Sequence, residues 1–145
     1  MIEHLPTEAV MQKALALVKG AQSRLCATEL LRDPLRPLPA EYLSALEIKL
    51  QEGLDMQRIV FGSENLCNDF QHSVPLQHPH YHLRRSDPSL YQRCLIVDDQ
   101  RMLFAIEKEN LRLFFFTDDA AIVQSFVEYF EKVFAASEDI KSQSS

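Results

Sequence analysis

Three side chains in one short run invite a chemical reading: the phenol of Tyr91, the guanidinium of Arg93 and the carboxylate of Asp98, in Tyr91-Gln-Arg93-Cys-Leu-Ile-Val-Asp98. An arginine at a cleft offers a planar two-pronged fork to an anionic or hydroxylated ligand. The same fork can be consumed by an internal ion pair, and Asp98 is a carboxylate at hand for that. A phenol, with a pKa of about 10, is a poor nucleophile at neutral pH unless a base activates it. The run therefore reads first as a place to bind something. Tyr91, Arg93 and Asp98 are the candidate ligand-binding residues, and no residue is assigned a catalytic role.

A second constellation is histidine-rich. His78, His80 and His82 alternate, with His72 upstream. Residues two apart share a face of a strand, so three imidazoles could converge on zinc, nickel or copper. Pro79 interrupts a regular ladder, and no carboxylate or cysteine stands at a familiar metal spacing. The simpler reading is a surface loop with hydrogen-bonded histidines, so no metal or other cofactor is assigned. A hydrolase using Tyr91, or a metal held by His78, His80 and His82, is kept as the alternative function. Cys26, Cys67 and Cys94 form no CxxC and leave one unpaired in any disulfide scheme. They read as small buried hydrophobes in a reducing compartment.

The surrounding elements must hold these groups in place. Pro6-Thr7-Glu8 opens a helix with Thr7 as its cap, and Gly20 stops it. Arg24 to Leu30 predicts a strand. A proline-rich loop from Asp33 to Pro39 leads into a helix whose apolar face is Tyr42, Leu43, Leu46 and Leu50, ended by Gly53. Met56 to Phe61 is a buried strand, completing a βαβ pattern. Residues 62 to 90 predict loops with one or two short strands. Arg93–Val97 and Arg101–Ile106 make a hairpin through Asp98-Asp99, and Leu111–Phe116 is a further strand. Thr117-Asp118-Asp119 caps an aromatic helix running through Phe126, Phe130 and Phe134. The expected organisation is one α/β domain over residues 1–136, a mixed sheet with helices on both faces, and a flexible polar tail over 137–145.

Bulk composition narrows the setting. The chain has 145 residues and a formal net charge of −6, which disfavours a general grip on a phosphate backbone. Arg84 and Arg85 are the only adjacent arginines. The N-terminus lacks the basic and apolar regions of a signal peptide, and no apolar run approaches the ~20 residues of a membrane span. The expectation is a cytoplasmic protein with no membrane and no direct nucleic-acid contact.

The spacing of Tyr91, Arg93 and Asp98 resembles the HxKxxxxD signature of the phospholipase D-like superfamily, with tyrosine for the catalytic histidine, arginine for the lysine, and the aspartate kept. The order of elements over roughly residues 7 to 135 is also similar to one half of that superfamily, including the terminal aromatic helix. The family's Gly-Ser-x-Asn segment has no counterpart where it belongs, near Ala105-Ile106-Glu107-Lys108, and Glu107 puts a negative charge where a phosphate would sit. Gly62-Ser63-Glu64-Asn65 matches that pattern but precedes the motif, and reads as coincidence. Leu95-Ile-Val-Asp98-Asp99 also resembles the first strand of a receiver domain, but the elements after it are the wrong ones.

The resemblance implies a phospholipase D-like fold that has lost its reaction. It implies a homodimer, because single-half members pair their motifs across a two-fold axis. It also implies a small-molecule-binding, regulatory or protein-interaction role, with a protein partner or a small anionic or polar ligand. A third possibility is a structural protein whose old cleft is filled by side chains.

Overall fold

The computed structural model describes residues 1–140. The elements in chain order are β1 (Ile2–Leu5), a 3-10 turn (Thr7–Ala9), α1 (Val10–Lys19), β2 (Arg24–Leu30), α2 (Ala40–Gln51), β3 (Asp55–Phe61) and α3 (Glu64–Ser73). Then follow β4 (Tyr81–Ser86), a 3-10 turn (Pro88–Leu90), β5 (Cys94–Val97), β6 (Arg101–Lys108), β7 (Leu111–Thr117), α4 (Ala120–Ala136) and β8 (Glu138–Asp139). The strands form one mixed sheet in the order β1-β7-β6-β5-β2-β3-β4-β8. β2, β3 and β4 run parallel, and every other pairing is antiparallel.

Alternation along the strands sorts their side chains into two cores, because successive residues face opposite ways. Leu25 and Ala27 of β2, Met56 and Val60 of β3, and Leu95 and Val97 of β5 face α1 and α2, meeting Leu17, Val18 and Leu46. Cys26, Ile59, Phe61, Cys94 and Ile96 face the other way and meet Val123, Val127 and Phe130 of α4. The central strands are buried on both faces, which is why they read as continuous apolar runs. Helices thus cover both faces, as the sequence predicts. Phe114 and Phe116 join the first core, while Phe115 stacks on Phe104 on the opposite face, 5.3 Å between ring centres.

Three local expectations change, and one strand is added. Thr7 caps nothing: the chain takes a 3-10 turn there and α1 begins at Val10. Residues 2–5 pair with β7 as β1. The segment after Gly62 is helical: the Ser63 hydroxyl accepts from the Leu66 amide at 3.2 Å and caps α3. Only Cys67 and Phe70 of α3 are buried, so its helical period is weak in sequence. Finally, the packed domain runs past 136. β8 pairs with β4, Glu138 meets Arg85, the Ile140 amide donates to the Leu83 carbonyl at 3.2 Å, and Ile140 is 2% exposed. A tail beginning at 137 is therefore corrected by burial of one isoleucine. The remainder of that expected tail, 141–145, lies outside the described residues. Ile140→Ala is expected to cost about 2–4 kcal/mol in urea unfolding. A loss below about 0.5 kcal/mol would show instead the behaviour of a surface strand.

Candidate functional site

The β5 strand sets the geometry of the motif. It runs antiparallel to β2, so its amino end lies beside the carboxyl ends of the parallel strands, the usual position for a ligand in an open α/β sheet. Tyr91 and Arg93 stand at that end. Asp98 stands at the other, five residues along, or roughly 17 Å of extended chain. The structure therefore brings Tyr91 and Arg93 together and leaves Asp98 out of their cleft. The internal pair between Arg93 and Asp98 does not form.

Two side chains fix the entry to β5. The Tyr129 hydroxyl donates to the Leu90 carbonyl at 2.6 Å and accepts from the Gln92 amide at 2.9 Å. The Thr28 hydroxyl donates to the Gln92 carbonyl at 2.7 Å and accepts from the Cys94 amide at 2.9 Å. Between these anchors the Tyr91 ring meets Phe61 edge-on, 5.4 Å between centres, and its hydroxyl lies 3.4 Å from Oε1 of Glu107. Arg93 lies 3.6 Å from the same oxygen, with its guanidinium 5.3 Å from the centre of the Phe114 ring. Arg112 reaches Oε2 at 3.3 Å. Glu107 is thus the partner of both motif residues. Burial pushes the Tyr91 phenol above its ordinary pKa; Arg93 opposes this, and Glu107 adds to it.

The cleft between them has a volume of about 520 Å³ and is open. Leu30, Phe104, Ile106 and Phe126 form apolar walls, and Arg32, Arg93 and Glu107 supply charge. The space beside Tyr91 and Arg93 is not filled by side chains. A larger hollow of about 710 Å³ lies under the α3–β4 connection, around Val74, Leu76 and Tyr81, away from the motif.

Asp98 does a different job. It and Asp99 occupy left-handed backbone, φ 56° and 55°, in the turn closed by the Gln100 amide on the Val97 carbonyl at 3.1 Å. Three residues separate the paired Val97 and Arg101, and aspartate tolerates the positive φ that the two central residues of the turn need. The Asp98 carboxylate accepts from the amides of Gln22, Ser23 and Arg24 at 3.0, 2.7 and 3.0 Å, and from the Ser23 hydroxyl at 3.0 Å. Burial alone would raise its pKa; these hydrogen bonds outweigh burial and hold the carboxyl below its ordinary value.

The other candidates are placed as follows. The His78 and His80 rings are 5.3 Å apart, and the His80 amide donates to Nδ1 of His78. His82 lies in β4 beside Asp55 at 3.7 Å. Among the described residues no three His, Cys, Asp or Glu side chains gather to hold a metal ion. All three cysteines are free and buried, and burial pushes the Cys26 and Cys94 thiols up to about 12. Arg84 and Arg85 form no patch: Arg84 donates to the Phe134 carbonyl, and Arg85 pairs with Glu138.

Sequence reasoning passed over a buried polar group on the α2 side. Arg58, 3% exposed, lies 3.7 Å from Glu29, and its charge acts on the phenols of Tyr42 and Tyr81. Burial opposes the Arg58 charge, but these partners outweigh it; burial raises Glu29 against the pull of Arg58 and Arg93. The signal was an arginine two residues from both Met56 and Val60, hence on their buried face.

No protein-family model matches the chain, and no curated protein matches it significantly. Solved structures do match. TrmBL2, an archaeal chromatin protein, superposes with a TM-score of 0.75 at 16% identity, over 96% of this chain and 54% of its own. NucT from Helicobacter pylori gives 0.70 at 12% identity, over 97% and 98%. Nuc from Salmonella typhimurium, a phospholipase D family member, gives 0.66 at 12% identity, over 96% and 95%. The fold is phospholipase D-like. This chain spans about half of the TrmBL2 chain and nearly all of the other two.

One expectation is overturned here. The structure of TrmBL2 shows a novel mode of DNA binding, so direct nucleic-acid contact is not excluded on this fold by an acidic total. Net charge sums the whole surface, whereas a nucleic-acid contact depends on the local field. Among the described residues no helix is long and apolar enough to cross a membrane.

Asp98 yields a testable stability difference. Asp98→Ala is expected to cost about 2 kcal/mol in urea unfolding, since three amides lose a charged acceptor. Asp98→Asn should cost less, because asparagine tolerates positive φ and keeps one acceptor oxygen. With its folded pKa lowered, the Asp98 contribution is present above the unfolded value of about 3.9 and is lost as pH falls through the folded one. Equal losses for both variants across that range would refute the clamp.

Proposed function

We propose that this chain is a non-catalytic phospholipase D-like module that binds a small ligand in the Tyr91–Arg93 cleft and acts in regulation or protein interaction. The observation that carries this reading is Glu107, whose carboxylate lies on both the Tyr91 hydroxyl and the Arg93 guanidinium. A nucleophile needs a partner that takes its proton. Carboxylates as a class titrate about six units below phenols, so this contact does not activate Tyr91. The same carboxylate already occupies the one arginine of the motif, so a phosphodiester would have to displace it to reach Arg93. Asp98, spent on the backbone of residues 22–24, takes no part in ligand binding.

The assay is phosphodiester hydrolysis by the purified chain, using bis(p-nitrophenyl) phosphate and single-stranded DNA. No turnover above background is expected, and Tyr91→Phe should change nothing. Robust turnover abolished by Tyr91→Phe would sink the proposal in favour of altered hydrolytic chemistry.

The likeness to TrmBL2 favours a second reading, DNA binding by the same end of the sheet, where Arg32, Arg36, Lys108 and Arg112 are exposed. Its mark would be an affinity for duplex DNA that falls steeply with salt.

Pairing of two copies belongs to the leading reading. Leu90, Ile106 and Leu111, each about half exposed, stand at the cleft end of the sheet and support a contact there. Light scattering should give twice the 16.7 kDa chain mass. A monomer at micromolar concentrations would remove the shared-cleft arrangement.

A further inference from the structure

We infer that the cleft takes a small carboxylate with an apolar or aromatic body, and that Glu107 stands in for that carboxylate. This rests on the reading of the cleft as a binding site. Glu107 shows that a carboxylate fits: one oxygen meets Tyr91 and Arg93, the other Arg112. The grip on it is loose. Neither arginine makes a close two-pronged pair with it, at 3.6 and 3.3 Å, and the two side chains are 43% and 45% exposed. Exposed pairs of this kind are worth little, so an incoming carboxylate displaces Glu107 at small cost.

A further cation is available. Arg32 lines the same cleft and makes no hydrogen bond or ion pair among the described residues. Arg32 and Arg93 line the cleft against the single carboxylate of Glu107, whose outer oxygen Arg112 holds, so the cleft is positive on a chain of net charge −6. The walls ask for an apolar body. Ile106 is 53% exposed at the cleft, beside Phe104 and Phe126, which a hydrocarbon or ring would cover. A volume of about 520 Å³ is in the range of small-ligand sites. Inorganic phosphate would use the arginines but leave these walls bare.

Isothermal titration calorimetry of the full chain with 3-phenylpropionate, 3-phenylpropanol and inorganic phosphate tests this. Phenylpropionate should bind saturably, the neutral alcohol at least tenfold more weakly, and phosphate more weakly than phenylpropionate. Arg93→Gln should weaken phenylpropionate about tenfold, as expected for loss of a charged hydrogen bond. Glu107→Gln should tighten it several-fold, a gain that mere damage to the fold would not give. Circular dichroism melts would confirm that both variants fold. Tighter binding of phosphate, or unchanged affinity in Glu107→Gln, would overturn the carboxylate assignment and leave the binding-module reading standing. Absence of phenylpropionate binding to both wild type and Glu107→Gln at millimolar concentration would overturn it too. Only phosphodiester turnover would remove the underlying reading itself.

Discussion

The seam between β2 and β5 is where a parallel half-sheet meets an antiparallel one, and the rest of the molecule is arranged around it. β2 pairs with β3 in parallel on one side and with β5 antiparallel on the other. Only three residue pairs define the β2–β5 register, so it is pinned from outside the ladder. At one end Thr28 holds the backbone of Gln92 and Cys94; at the other Asp98 holds the backbone of residues 22–24. A slip of one residue would turn Cys94 and Ile96 away from α4 and Leu95 toward it, exchanging the two cores. The same two clamps aim Tyr91 and Arg93 at the carboxyl ends of β2 and β3. Stability and site geometry are thus one constraint.

The buried Arg58 group ties the parallel half together from the other side. It links β2 through Glu29, β3 through Arg58, α2 through Tyr42 and β4 through Tyr81. Such a group adds little net stability over an apolar replacement, but removing one partner costs about 3–5 kcal/mol. Its effect is to penalise any packing that separates these four elements. Arg93, opposite Glu29 across the β2–β5 seam, also pulls on the Glu29 charge, so the polar interior and the cleft share an electrostatic boundary.

The elements legible in the sequence were those with a strong period or strong punctuation. β2, α2, β3, the β5–β6 hairpin, β7 and α4 each combine an apolar pattern with a cap, a proline or a glycine. What escaped lacked one of these. α3 buries only two side chains, β1 is an exposed edge with one buried residue, and β8 is two residues long. The site was half legible. The spacing groups Tyr91 and Arg93, and both meet Glu107, because they flank the start of a strand. The motif groups Asp98 with them, but its position five residues on, past the end of that strand, carries it to the opposite end of the strands. Glu107 was legible as an intruding charge. Its partnership with both Tyr91 and Arg93 needed the β5–β6 register, which no spacing supplies.

Glu107 also explains how a substituted motif can remain a well-formed site. A cleft that keeps an arginine and an aromatic hydroxyl but no anion would leave a partly desolvated cation facing apolar walls. Supplying the counter-charge from β6, the neighbouring strand, resolves this without closing the cleft, which Phe104, Ile106 and Phe126 still line. A residue that only neutralised the arginine could have been buried with it. Glu107 and Arg93 instead remain partly exposed, at 24% and 43%, in a geometry that an exchangeable partner can match. Charge balance and access to the cleft are therefore satisfied by the same side chain.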